Sequence, residues 1–161
     1  MANIEYVDLP RFMGDWHVLA DIPTPFDKKA TQPLEHYQLK NDGTIDTTYS
    51  FVPNDGAKRR VIRAKGFVLD KNSNAVWGMQ FLWPIKADYR IVYIDTEYSV
   101  AIIGRSKRDL VWIMSRAQTI TDQRFAELLS IVRTLGHDLS KLRIHRQQAA
   151  ANAQFYREIA S

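Results

Sequence analysis

Cysteine is absent from the 161-residue chain, and with it go disulfides, thiolate metal sites and any cysteine nucleophile. No apolar run approaches the ~20 residues that a helical membrane span requires. The four histidines are scattered, and neither His17 nor His36 stands with a second ligand at metal-binding spacing. No metal and no cofactor are therefore expected. No nucleophile–base–acid set stands out either, so no catalytic residue is assigned. Met1 to Val7 has no basic start and no apolar stretch, and no signal peptide is read there.

What is present is aromatic and evenly patterned. Aromatics make up 11% of the chain, with four Trp and seven Tyr, which leans toward strands walled by large side chains. Hydrophobic content of 45% and charged content of 25% suit one soluble domain with a sizeable core. A net charge of +4 and a pI near 9.4 favour anionic partners weakly.

The stretch from Phe12 to Ile22 organises the rest. Leu9 to Met13 reads as a helical turn or plug, and a strand follows in which Trp16, Val18, Ala20 and Ile22 share one face. Pro23 to Pro33, with three prolines, reads as a long loop. Asn41-Asp42-Gly43 is a hairpin signal. Seven further strands are expected, presenting Tyr37 and Leu39; Ile45, Thr47, Tyr49 and Phe51; Ile62, Ala64, Gly66 and Val68; Trp77, Met79 and Phe81; Tyr89, Ile91 and Tyr93; Tyr98, Val100 and Ile102; and Leu110, Trp112 and Met114.

Eight short strands at even spacing predict an all-β fold, an eight-stranded antiparallel up-and-down barrel. Leu19, Val92, Ile94 and Ile113 make its outer face apolar too. The cover is one C-terminal α-helix, capped by Thr121-Asp122, with Phe125, Leu128, Leu129 and Val132 on one side. The single domain spans 1–146, and 147–161 is a tail or a short appended helix.

Loops of such a barrel alternate between its ends. Lys28, Lys29, Arg59, Arg60, Arg105 and Arg108 gather at a long-loop end, and tight turns close the other. The closed end brings Arg116 across Trp16, a cation–π contact worth ~0.5–2 kcal/mol.

Gly14-Asp15-Trp16, Asp95-Thr96-Glu97-Tyr98 and Trp112-Ile113-Met114-Ser115-Arg116 resemble the three signatures of the lipocalins, in order and at the right barrel positions. With the following helix and Asp138-Leu139-Ser140-Lys141, residues 4–146 look most like bacterial lipocalins of the outer-membrane lipoprotein type, related to apolipoprotein D. The resemblance implies a calyx for small apolar molecules, often fatty acids or lysophospholipids, and no catalysis. It implies structural roles for Gly14, Trp16, Asp95, Tyr98 and Arg116. It also implies the cell envelope, on the periplasmic side of the outer membrane. The chain departs from the pattern at His17, where relatives carry an aromatic, and in lacking the signal and lipidated cysteine; as written it reads as soluble or cytoplasmic.

The expected cavity wall is Ala20, Ile22, Tyr37, Tyr49, Phe51, Trp77, Met79, Phe81, Tyr89, Ile91, Tyr93, Val100, Ile102, Trp112 and Met114, with room left by Thr47, Ala64 and Gly66. The expected ligand is a fatty acid or lysophospholipid whose head group meets Arg59, Arg60, Arg105 or Arg108. Trp83-Pro84-Ile85 forms an apolar tip suited to ligand guidance, a membrane surface or a homodimer contact. Nucleic acid is not expected, because the aromatics face inward. The alternative is an enzyme acting on an apolar substrate in the same barrel, through Tyr37, Tyr89 or Tyr93.

Overall fold

The computed structural model describes residues 4–23, 30–53, 55–82, 84–145 and 147–148. Lys28, Lys29, Trp83 and the tail 149–161 lie outside the described residues. Among the described residues, no helix is long and apolar enough to cross a membrane.

Asp8 caps a one-turn helix α1 (Leu9–Phe12) by accepting from the Arg11 amide, and Pro10 sits in the first turn, where a missing N–H costs nothing. The strands follow as β1 (Gly14–Asp21), β2 (Ala30–Leu39), β3 (Ile45–Pro53), β4 (Arg60–Val68), β5 (Val76–Leu82), β6 (Ile85–Ile94), β7 (Val100–Gly104) and β8 (Val111–Ser115). Each pairs antiparallel with the next, and β1 pairs with both β2 and β8, closing the eight-stranded barrel. After the helix α2 (Asp122–Thr134) and a 3-10 turn at Leu139–Lys141, the strand β9 (Arg143–Ile144) pairs with the far end of β1. The sequence predicts only a short return segment there, through Leu139, Leu142 and Ile144; the structure makes its end a strand.

The β2–β3 hairpin forms where Asn41-Asp42-Gly43 predicts it. Gly43 takes φ +86°, a region open to glycine at no steric cost. Asp42 accepts from the Thr44 amide at 2.9 Å and its hydroxyl at 2.6 Å.

Two apolar layers result. Inside the barrel, Phe12, Trp16, Val18, Tyr37, Ile45, Trp77, Ile103 and Met114 belong to one buried cluster. Outside, Phe125, Leu128 and Val132 of α2 pack on Leu19, Val92, Val100, Ile102, Val111 and Ile113. Burying those three helix side chains contributes about 5–9 kcal/mol gross. Thr121 caps α2 by accepting from the Arg124 amide, as its sequence predicts.

Three breaks in the strict alternation read from the sequence move expected wall residues. β1 carries a bulge between Val18 and Ala20, so Ala20 and Ile22 join the outer cluster. β6 carries another between Ile91 and Tyr93, which sends Tyr93 outward to receive the Arg124 guanidinium at 3.1 Å. Before β7, Tyr98 adopts φ +55°; the phase resets, and Ala101 and Ile103 face inward while Val100 and Ile102 lie under α2. β2 also starts earlier than expected. Pro33 lies within it, at a register shift between Thr31 and Leu34, where a bulge tolerates proline.

Candidate ligand-binding cavity

One end of the barrel is sealed. Arg116 lies over the Trp16 indole, 3.8 Å from ring centroid to guanidinium carbon. It donates to the carbonyls of Asp15 and Arg11, each at 2.8 Å, and of Tyr98 at 3.4 Å. Gly14, at φ +97°, brings the chain so close that an added Cβ would stand 3.4 Å from Arg116 Nη1. Trp16 Nε1 donates to the Phe12 carbonyl at 2.8 Å, tying the plug α1 to β1. Asp95 accepts from the Ser99 amide at 2.7 Å and the Val100 amide at 3.2 Å, as well as from the Ser99 hydroxyl. Tyr98 accepts from the Asp8 amide at 2.8 Å and lies beneath Arg11. These five positions hold the base together.

Above the base stands an apolar cavity of about 540 Å³, within the range of ordinary small-molecule sites. Of the expected wall, Tyr37, Tyr49, Met79, Phe81, Tyr89, Trp112 and Met114 line it. Ala20, Ile22, Tyr93, Val100 and Ile102 do not, for the bulge and phase reasons given above. Trp77 and Ile91 sit in the inner cluster but are not part of the lining. Trp77 stacks on Tyr89 at 4.9 Å and meets Phe12 edge-on at 5.7 Å, so it is floor rather than wall. Phe51 packs on the Tyr49 ring at 5.5 Å and falls outside the lining. Thr47, Ala64, Ile62 and Ile103 complete the wall, and Leu82, Ala87, Asp88 and Leu110 add to it.

The rim cations separate. Arg105 lines the cavity; its Nε is buried with no hydrogen-bond partner, 3.6 Å from Asp109 Oδ1. Arg59 donates to Ser50 Oγ at 2.9 Å and the Gln32 carbonyl at 3.0 Å, on the outer side of β3. Arg108 donates to the Leu135 carbonyl at the end of α2, at 3.0 Å. Arg60 is exposed at the start of β4 and is not part of the lining. Of the expected head-group set, only Arg105 reaches the cavity.

Among the lining residues that the sequence did not point to, Glu35 stands out. It lines the cavity beside Tyr37 and Tyr89, directly across from Trp16 on β1 and Tyr49 on β3. Burial raises its carboxyl to about 8. Tyr37 and Tyr89 share a 2.5 Å hydrogen bond between their hydroxyls. Both phenols are held well above their ordinary range, by burial first and the Glu35 charge second. Glu35 stands two residues before Tyr37, so the period-2 rule places it indoors once β2 is extended past His36. Among the described residues, no cluster of three His, Cys, Asp or Glu could hold a metal.

A family model described as a lipocalin-like domain matches residues 7–147. The chain is 29% identical over 151 residues to temperature-induced lipocalin-1 of Arabidopsis thaliana, covering 88% of this chain and 80% of that protein. It is 26% identical over 134 residues to the outer membrane lipoprotein Blc of Escherichia coli, covering 83% and 76%. Apolipoprotein D of Macaca fascicularis matches at 26% over 151 residues, covering 89% and 79%. Among solved structures, insecticyanin from the tobacco hornworm superposes with a TM-score of 0.72 at 16% identity, over 94% of this chain and 86% of that one. A barrel sealed by Arg116 on Trp16, open above an apolar cavity and matched over nearly its whole length, makes this chain a member of the lipocalin family, which binds small hydrophobic ligands.

Proposed function

We propose that the protein carries or stores a small amphipathic lipid, a fatty acid or a lysophospholipid, with its acyl chain in the barrel and its anionic head group at Arg105. The observation that carries this reading is the cavity itself: about 540 Å³, walled by aromatic and aliphatic side chains. An acyl chain of about fourteen carbons gains roughly 11 kcal/mol gross at ~0.8 kcal/mol per methylene. Association costs ~4–15 kcal/mol, so a head-group contact decides whether binding is useful. Arg105 supports that contact, because its buried Nε has no hydrogen-bond partner.

Native mass spectrometry of gently purified protein tests the reading. A co-purified lipid that a fluorescent fatty acid displaces supports it; an empty barrel that takes up no fatty acid ends it.

The lip of the cavity favours loading from a bilayer. Phe81, Leu82 and Ile85 are 58%, 73% and 67% exposed, and Pro84 is exposed between them. Val61 and Ile62 of β4 are exposed as well, flanked by exposed Arg60 and Arg63. Apolar tips with basic flanks suit an anionic lipid surface. Co-sedimentation with phosphatidylglycerol vesicles, lost in Leu82→Glu, supports this. A concentration-dependent dimer lost in the same variant would instead assign the lip to a second copy of the chain.

A further inference from the structure

Glu35 is out of place in a wall built for hydrocarbon. Its Oε2 is buried and has no hydrogen-bond partner, and no ion pair involving it occurs among the described residues. The residues around it explain the isolation. On β2 its inward neighbour is Tyr37, whose hydroxyl is engaged with that of Tyr89 on β6 and with Met114 Sδ on β8. Across the strands it faces Trp16 and Tyr49. The other charged groups that line the same cavity do not reach it: Asp88 accepts from Arg90 and Ser106, and Arg105 stands at the open end, 3.6 Å from Asp109. An uncompensated polar group in an apolar wall costs stability. A carboxyl kept there has a use only if something in the cavity completes its hydrogen bonding.

Its depth says what that something is. Glu35 stands level with Trp16 of the sealed base, whereas Arg105 lies at the open end, beside the β7–β8 turn. An acyl chain anchored at Arg105 therefore presents its far end, not its head group, to Glu35. With its carboxyl near 8 by burial, Glu35 is largely the neutral acid at neutral pH. In that form it both donates and accepts a hydrogen bond. A hydroxyl is the small uncharged group that matches both functions at once, and a methyl terminus matches neither.

We infer that Glu35 is a specificity site for the buried end of the ligand, and that the cavity prefers hydroxylated lipids, with the hydroxyl at or near the chain terminus, over their unsubstituted counterparts. This rests on the carrier reading above for the position of the chain.

The test is competition of matched pairs, ω-hydroxy and plain saturated fatty acids of ten to sixteen carbons, against a fluorescent fatty acid. It is run on the wild type, Glu35→Gln and Glu35→Leu. In the wild type, at the best-fitting length, the hydroxy acid binds more tightly than the plain acid. In Glu35→Leu it falls about tenfold or more behind, because its hydroxyl is buried unpaired. Glu35→Gln, which still donates and accepts, retains most of the wild-type preference. If the plain acids bind and the hydroxy acids rank behind them equally in all three proteins, the Glu35 site is wrong and the carrier reading stands. If neither series binds any of the proteins, the carrier reading itself has failed.

Discussion

Replacing Glu35 with glutamine should flatten the pH dependence of the barrel's stability. The carboxyl titrates near 8 in the folded protein, against 4.5 for the ordinary group. Between those values the folded state holds more protons than the unfolded chain, so stability falls as pH rises through the window. Each pH unit costs up to ~1.4 kcal/mol, and the full span of 3.5 units would cost ~5 kcal/mol above pH 8. Below pH ~4.5 the penalty disappears. Part of the side chain's surface faces the cavity, where solvent screens its charge, so a measured loss of about 2–5 kcal/mol between pH 4.5 and 8.5 is expected. Urea unfolding of the wild type and Glu35→Gln across that range reads the effect as a difference of differences, which cancels any pH-independent cost of the amide. At ~2–4 °C per kcal/mol, the lead of the glutamine variant over the wild type in melting temperature should grow by about 4–20 °C between pH 4.5 and pH 8.5. Parallel pH profiles for the two proteins would refute the buried, unpartnered acid.

Three further outcomes follow from the same geometry. Trp16→Ala removes the ring sealing the base and should destabilise by about 3–5 kcal/mol, measured by chemical denaturation. Asp21, fully buried, binds Arg143 at 3.0 Å and His145 at 3.2 Å. Asp21→Asn takes away the charge that pairs β1 with β9, and should cost about 3–5 kcal/mol, seen as a lowered melting temperature and loss of amide protection at Ile144. Arg105→Glu should weaken a fluorescent fatty acid about tenfold or more with little change in melting temperature, whereas Arg59→Glu should leave affinity unchanged, because only Arg105 reaches the cavity.

The barrel, its closed end and its helical cover were legible because each has a local signal. Gly14 and Trp16 mark the tight first turn, Asn41-Asp42-Gly43 a hairpin, and Thr121 with Phe125, Leu128 and Val132 a capped, one-sided helix. The cavity was legible only in part. A period-2 reading carries a strand's phase from its clearest residue, and a single inserted residue reverses it. Nothing in Val18-Leu19-Ala20 or Ile91-Val92-Tyr93 betrays the bulges there, since apolar residues occupy both faces. Ala20, Ile22 and Tyr93 were assigned indoors for that reason, and Val100 and Ile102 because the phase resets at Tyr98; the outer cluster claims all five. The rim arginines failed differently: loop membership fixes which end a residue reaches, not whether its side chain turns inward. Glu35 was hidden by Pro33, which marks a loop in sequence but sits at an irregularity inside β2.

The central claim is that the barrel holds one amphipathic lipid in the space bounded by Ala64, Met79 and Trp112. Titration of a fluorescent fatty acid into the wild type and into Ala64→Trp, which fills that space from β4, tests it directly. Saturable binding at one site is expected in the wild type, and a loss of about tenfold or more in the variant, with the fold intact by circular dichroism. Equal binding by the two proteins would place the lipid outside the cavity and contradict it.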